Sequence, residues 1–288
     1  MTGIASMLIG LVAAAASVPG ASVLERAVRD RIAQSGADVA VAFQTLDGRD
    51  RLNIKTDEPF HAASTMKVPV MIELYRQFQQ GRLKLGESVP VVNEFHSIVD
   101  ASAFSLVLGD VDQALIAKGE TTYRELCEAM ITSSSNLAAN ILLERLKPAN
   151  VQAAMKKMGA SDMRVLRGVG DDKAFDKGLN NTTTAKALMT LLMALAKGQV
   201  VNREASEDMI AILARQQVVD GIPAGLPEGT RVAHKEGQIT KINHDAGVVY
   251  GPRPFVLVVL VRGLDDQHVS ASVIADITRI VYAATARK

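Results

Sequence analysis

Ser64 and Lys67 stand three positions apart, with Pro69 close behind. On a helix such positions share a face, so the lysine nitrogen can reach the serine hydroxyl. A serine hydroxyl is a weak nucleophile until a base or a nearby positive charge activates it. A helix N-terminus adds partial positive charge and free N–H groups where an oxyanion would develop. Ser-x-x-Lys alone is a weak signal, because chance supplies about one per chain of this size. A capping serine with a solvated lysine gives the same pattern. Here the motif occurs once.

Two further groups have suitable chemistry. Ser134-Ser135-Asn136 interrupts a helical stretch, so its side chains can project into a cleft. Ser134 can pass a proton to a leaving nitrogen, and Asn136 can hydrogen-bond a substrate amide. Ser and Asn also cap helices routinely. Lys235-Glu236-Gly237 falls in a strand-like run, where a glycine points to close backbone approach by a ligand or another segment. Lys235 would supply charge for an anionic substrate group. Lys-x-Gly also occurs at Lys84 and Lys157, so it means little alone.

The elements that must hold these residues follow from periodicity and turn chemistry. Val23–Ala33 has helical spacing. Asp38–Leu46 alternates as a strand, and Asp47-Gly48 turns it into Arg51–Ile54. Thr65–Gln80 reads as a helix, and Pro69 puts its start near Ser64. Residues 88–120 show poor periodicity and read as an extended loop region. Thr122-x-x-Glu125 is a capping box for a helix to about Thr132. Helices are expected over Asn136–Leu146 and Asn150–Met158, the latter closed by Gly159. Residues 161–181 are rich in Gly, Asp and Asn and read as a long surface loop, with glycine content that suggests mobility. Thr182–Thr184 caps an apolar helix ending at Gly198, and Asn202–Arg215 is another. Arg231–Gln238, Asp245–Tyr250 and Phe255–Arg262 read as strands, and Asp266–Lys288 as an amphipathic helix. The expected fold is α+β. An antiparallel sheet flanked by helices is built from both chain ends, residues 22–62 and 216–288, with an all-helical domain, residues 63–215, inserted between them.

The bulk numbers fit an enzyme-sized globular chain. It has 288 residues, 48 % apolar, and a net charge of +1. No basic stripe with interleaved aromatics supports nucleic-acid binding. The single cysteine, Cys127, permits no intrachain disulfide and reads as a small buried residue. The five histidines, His61, His96, His234, His244 and His268, show no zinc spacing, and no glycine-rich phosphate loop occurs. No metal or cofactor is expected. Ile4 to Ala16 is nearly all apolar, and Ser17-Val18-Pro19-Gly20-Ala21 follows. This reads as a signal peptide over residues 1–21, too short for a transmembrane helix. No Lys or Arg precedes the run, and the alternative is a buried or frayed terminal segment.

Together, Ser64-x-x-Lys67, Ser134-x-Asn136 and Lys235-x-Gly237, in this order and on these elements, resemble the class A serine β-lactamases and their penicillin-recognising relatives. The resemblance covers roughly residues 22–288. It implies a β-lactamase/transpeptidase-like fold and hydrolysis of a small-molecule β-lactam through a Ser64 acyl-enzyme. Lys67 would take the serine proton and Ser134 would protonate the departing nitrogen. Asn136 would hold the acylamide, and Lys235 would attract the substrate carboxylate. The N–H groups of Ser64 and Gln238, beside Gly237, would hold the oxyanion. His244 would assist carboxylate binding, or be a surface histidine. The expected product is a periplasmic or secreted monomer, without stable membrane insertion after processing.

Two departures stand out. Relatives carry a glutamate in the loop after Ser-x-Asn, where it activates the deacylating water. Counting from Asn136, the matching position is Gly170, and Asp171 and Asp172 are the nearby substitutes. The third motif of the family has Thr where this chain has Glu236. Either Glu236 turns away, or Lys235 neutralises it, or the substrate differs. An acyl-enzyme or esterase with slow deacylation is therefore the alternative to a β-lactamase.

Overall fold

The computed structural model describes residues 22–286, so the expected signal segment, residues 1–21, lies outside the described residues. Helix α1 (Val23–Ser35) is followed by strands β1 (Asp38–Thr45), β2 (Arg51–Ile54) and the short β3 (Phe60–His61). A 3₁₀ turn, Ala63–Met66, runs straight into α2 (Lys67–Gln79). The region expected as open loop holds short pairs, β4 (Ser88–Pro90), β5 (Phe95–His96), β6 (Ala103–Phe104) and β7 (Glu120–Thr122), with α3 (Gln113–Lys118) among them. Helices α4 (Tyr123–Thr132), α5 (Asn136–Leu146), α6 (Pro148–Lys157) and the short α7 (Asp172–Asp176) follow. Next come β8 (Thr182–Thr183), α8 (Ala185–Ala196) and α9 (Arg203–Leu213). The chain closes with β9 (Arg231–Ile239), β10 (Ile242–Tyr250), β11 (Phe255–Arg262) and α10 (Gln267–Ala286). The fold is α+β, an antiparallel sheet flanked by helices.

The main sheet has the order β2-β1-β11-β10-β9, with every neighbour antiparallel. The first long strand and the last therefore pair, from Asp38 opposite Arg262 to Thr45 opposite Phe255. Both faces are covered. Phe255, Leu257, Val259 and Val261 of β11 join one core with Val39, Val41 and Phe43 and residues of α1 and α10. Val256, Val258 and Leu260 face the other core, shared with α2, α4, α5, α6, α8 and α9. This is why β11 reads as a continuous apolar run rather than an alternating one. Each such buried side chain contributes roughly 1.5–3 kcal/mol of transfer free energy. On β1 the helix-facing positions are Ala40 and Ala42, small enough to let α8 lie close. Helix α10 is long and apolar enough to cross a membrane by length and composition, but 50 % of its apolar window is buried inside the protein.

The capping box forms as expected. The Thr122 hydroxyl accepts from the Glu125 N–H, and the Glu125 carboxylate accepts from the Thr122 N–H. Pro148 opens α6 rather than preceding it, a common role for proline at a first helical position. Strand β9 is an edge of the sheet, and its unpaired edge runs beside the turn Ala63–Met66. A cleft forms along that edge.

Candidate active site

The turn that carries Ser64 is held from several sides. The Thr65 hydroxyl and N–H both donate to the Ala62 carbonyl. The Ala63 N–H donates to His61 Nδ1 at 3.1 Å. Ala63 itself has φ 45°, an unusual conformation for a residue with a Cβ. Ser134 is also left-handed, with φ 58°. Two strained non-glycine residues thus flank one cleft, a common mark of functional sites. Lys67 starts α2, and Ser134 lies in the break between α4 and α5.

Lys67 is fully buried, and its Nζ gathers four groups. Ser64 Oγ lies at 3.1 Å, Ser134 Oγ at 3.2 Å, the Ser134 carbonyl at 2.7 Å and Asn136 Oδ1 at 2.8 Å. The two shortest contacts go to carbonyl oxygens, which only accept. A neutral amine has two N–H donors and one lone pair. With its donors spent on those carbonyls, the lone pair is left for the hydroxyls. Burial holds the Lys67 ammonium well below the usual lysine range, and the Lys235 charge adds to that. Glu236 and Asp110 oppose it. The nitrogen beside Ser64 is thereby biased toward the basic form.

Lys235 Nζ donates to Ser134 Oγ at 2.9 Å, so Ser134 lies between the two lysines. It also pairs with Glu236 Oε1 at 2.5 Å. Burial pushes the Glu236 carboxyl up, but Lys235 beside it more than offsets this and keeps it ionised. At Gly237 an added Cβ would sit 3.0 Å from the backbone nitrogens of both Ser64 and Thr65. Only a glycine lets β9 approach the nucleophile turn this closely. Gln238 is exposed and lines the cleft, which holds about 450 Å³ and is bordered by Ser64, Asn136, Arg167, Val169 and Gly170 among others. The three motifs therefore converge on one cleft.

The family model of the β-lactamase enzyme family matches residues 23–285. The chain belongs to this family. It is 31 % identical over 256 residues to β-lactamase AST-1 of Nocardia asteroides, covering 86 % of this chain and 79 % of that one. It is 28 % identical over 265 residues to β-lactamase L2 of Stenotrophomonas maltophilia, with 89 % and 82 % covered. Among solved structures, an ancestral class A β-lactamase (GNCA) is similar at 26 % identity and TM-score 0.77, covering 91 % of this chain and 99 % of that one.

The loop from Met163 to Asn181 borders the cleft. It is tied down rather than mobile. Backbone bonds between Arg164 and Thr182 close its base. Asn140 Oδ1 accepts from the Val169 N–H at 2.7 Å, and its Nδ2 donates to the Val169 carbonyl at 2.8 Å. Asn181 does the same for the 166–167 backbone, and its own carbonyl accepts from Ala62 beside the nucleophile. Arg167 donates to the carbonyls of Leu179 and Gly168 and to Asn180 Oδ1. The pinned stretch 167–170 contains no carboxylate. Gly170 lines the cleft in a left-handed conformation, φ 77°, with Leu106 Cδ2 3.0 Å from where a Cβ would be. Asp171 is buried and spent. It accepts from Ser97 Oγ, the Ile98 N–H and the Ala174 N–H, so it caps α7 and ties the loop to residues 97–98. Asp172 is exposed at the cleft, and so is Asp110, whose Oδ1 lies 3.4 Å from Asn136 Nδ2.

His244 requires a correction. It lies in the interior, not at the mouth of the cleft or on the surface. Its Nε2 donates to the His61 carbonyl at 2.9 Å, and its Nδ1 accepts from the Val261 N–H at 3.1 Å. Both ring nitrogens are engaged, and burial pushes its pKa down to about 4. A neutral imidazole with no free nitrogen cannot hold a carboxylate. Instead it ties β10 and β11 to the segment before Ser64.

Sequence reasoning passed over Asn140, Asn181 and Asp110. The first two position the loop against the nucleophile turn, and the third puts a carboxylate beside Asn136. None of them belongs to a spaced motif.

Proposed function

We propose that the chain hydrolyses β-lactams through a covalent Ser64 acyl-enzyme. The observation that carries this is the Lys67 nitrogen, fully buried and 3.1 Å from Ser64 Oγ, with its donors directed at carbonyl oxygens. Lys67 takes the Ser64 proton as Oγ attacks the lactam carbonyl. The N–H groups of Ser64 and Gln238 stabilise the oxyanion, and the N–H at the start of a helical turn is suited to that task. Ser134, within reach of Lys67 and Lys235, passes a proton to the ring nitrogen as the C–N bond breaks. Asn136 orients Lys67 and the substrate amide. Water then cleaves the ester and restores the Ser64 hydroxyl.

The site is complete within one chain, which favours action as a monomer. The segment 1–21 reads as an export signal, which favours a periplasmic or secreted enzyme, as does membership of this family. The division into a sheet domain, residues 22–62 and 216–288, and a helical domain, residues 63–215, is part of the same reading, with the cleft between them.

A second reading concerns rate rather than chemistry. The absence of a carboxylate from the pinned stretch 167–170 favours slow deacylation. Intact-protein mass spectrometry with a penicillin and a cephalosporin tests both. Wild type should gain one substrate mass, and Ser64→Ala should gain none. Labelling of another residue in that variant would overturn the assignment of Ser64.

A further inference from the structure

Glu236 is a buried carboxylate beside the catalytic groups that the mechanism leaves unused. It is one residue from Lys235 on β9 and only 8 % exposed. Its carboxylate lies 2.5 Å from Lys235 Nζ, and the remaining contact of that nitrogen is Ser134 Oγ at 2.9 Å. We propose that Glu236 is a specificity-determining residue, which occupies Lys235 and turns the cleft toward substrates uncharged beside the scissile bond. The proposal rests on the acyl-enzyme reading above and names its substrate class.

The other basic groups point the same way. Among the described residues that line the cleft, these are His61 and Arg167. His61 Nδ1 is an acceptor for the Ala63 N–H, and burial, with the Arg167 charge, keeps the ring neutral. Arg167 is spent on two carbonyls and the Asn180 side chain. Lys67 is occupied by Ser64, Ser134 and Asn136, and His244 by backbone groups. On the acidic side, Asp110 and Asp172 stand exposed at the cleft. An incoming carboxylate thus meets a Lys235 already paired with Glu236, and an Arg167 charge outnumbered by Asp110 and Asp172. A substrate without that charge meets neither cost, since a neutral group does not compete for Lys235.

The same acyl transfer serves β-lactam esters and simple carboxylic esters. The Ser64 Oγ–carbonyl bond forms, the C–N or C–O bond breaks, and the serine proton goes to the leaving atom. Water then releases the acid and regenerates the hydroxyl.

Benzylpenicillin and its methyl ester share one ring system and differ in this charge, so the ratio of their acylation rates isolates it. We expect that acid-to-ester ratio to rise by about tenfold or more in both Glu236→Gln and Glu236→Thr, as Lys235 is released. A smaller rise in folded variants overturns the proposal. Should the variants fail to fold, wild type alone decides. Raising salt from about 0.01 M to about 0.3 M should leave the acid-to-ester ratio level or increase it, because no net attraction exists to be screened. A ratio that falls with salt means that Lys235 is open to carboxylates, which overturns the proposal. If neither compound acylates Ser64 in wild type, the acyl-enzyme reading fails and this one fails with it.

Discussion

Deacylation is where the site geometry makes its sharpest demand. A water attacking the Ser64 ester needs a base within hydrogen-bond reach. The loop presents Val169 and Gly170 to the cleft, Asp171 has its oxygens committed to Ser97, Ile98 and Ala174, and Asp172 is exposed at the cleft. A positioned general base is worth about 10²–10⁴-fold, or roughly 3–5 kcal/mol of barrier. Wild type should therefore show a burst of chromogenic cephalosporin consumption, then slow turnover, with acyl-enzyme visible by quenched mass spectrometry. The position for restoring the base follows from the backbone. Gly170→Glu forces a side chain into φ 77°, at a cost of about 1–2 kcal/mol. Its Cβ also presses on Leu106, 3.0 Å away. Val169 borders the cleft, and Asn140 clamps both its N–H and its carbonyl. Val169→Glu should speed deacylation by about 10²-fold or more, and Gly170→Glu by less, with acylation nearly unchanged in both. Stopped-flow single turnovers separate the two steps. The reasoning is refuted if wild type shows no build-up while Asp172→Asn or Asp110→Asn does, because that aspartate is then the base. It is equally refuted if Val169→Glu folds and deacylates no faster.

Three other outcomes follow from particular contacts. Acylation should rise with pH through a Lys67 pKa depressed below the usual lysine range, because the deprotonated amine is the active form. A pH–rate profile of acylation that levels off below the usual lysine range agrees with this, and one still rising near pH 10 does not. Asp171→Ala strips acceptors from Ser97 and Ile98, and should lower stability by about 3 kcal/mol in urea titrations. No change there would mean that the loop is held by Asn140 and Asn181 alone. His244 takes a proton at about 4 when folded, against 6.5 unfolded. Between those values the unfolded chain binds more protons, so stability falls as pH drops, by about 3 kcal/mol in all. Urea midpoints measured at both ends of that window should show the loss in wild type and a smaller one in His244→Gln.

The parts of this molecule legible in the sequence are those with a period or a local signal. The three C-terminal strands read as strands set off by turn residues, β11 the most apolar of them, and the capping box at Thr122 marked α4 to the residue. Ser64 and Lys67 could be joined because helical spacing alone brings them together. Short pairs such as Phe95–His96 with Ala103–Phe104 span two residues each, too few for a period to register. Asn140 escaped notice because its partner, the Val169 backbone, is 29 residues away and any residue type there would present the same groups. His244 was misplaced for another reason. The strand expected from Asp245 in fact begins at Ile242, so His244 falls inside β10, where residues on both faces are buried.

The pairing of β1 with β11 also governs when the protein can work. Ser64 leaves the ribosome before the helical region, but the edge strand that walls it in, and the two strands that join that edge to β1, are made only after it. A nascent chain thus carries its nucleophile without the surface that would present a substrate to it. Contacts between distant segments also form slowly, since the chain entropy of closing long loops comes first. The main sheet, and with it the cleft wall beside Ser64, can close only once β9, β10 and β11 have been made.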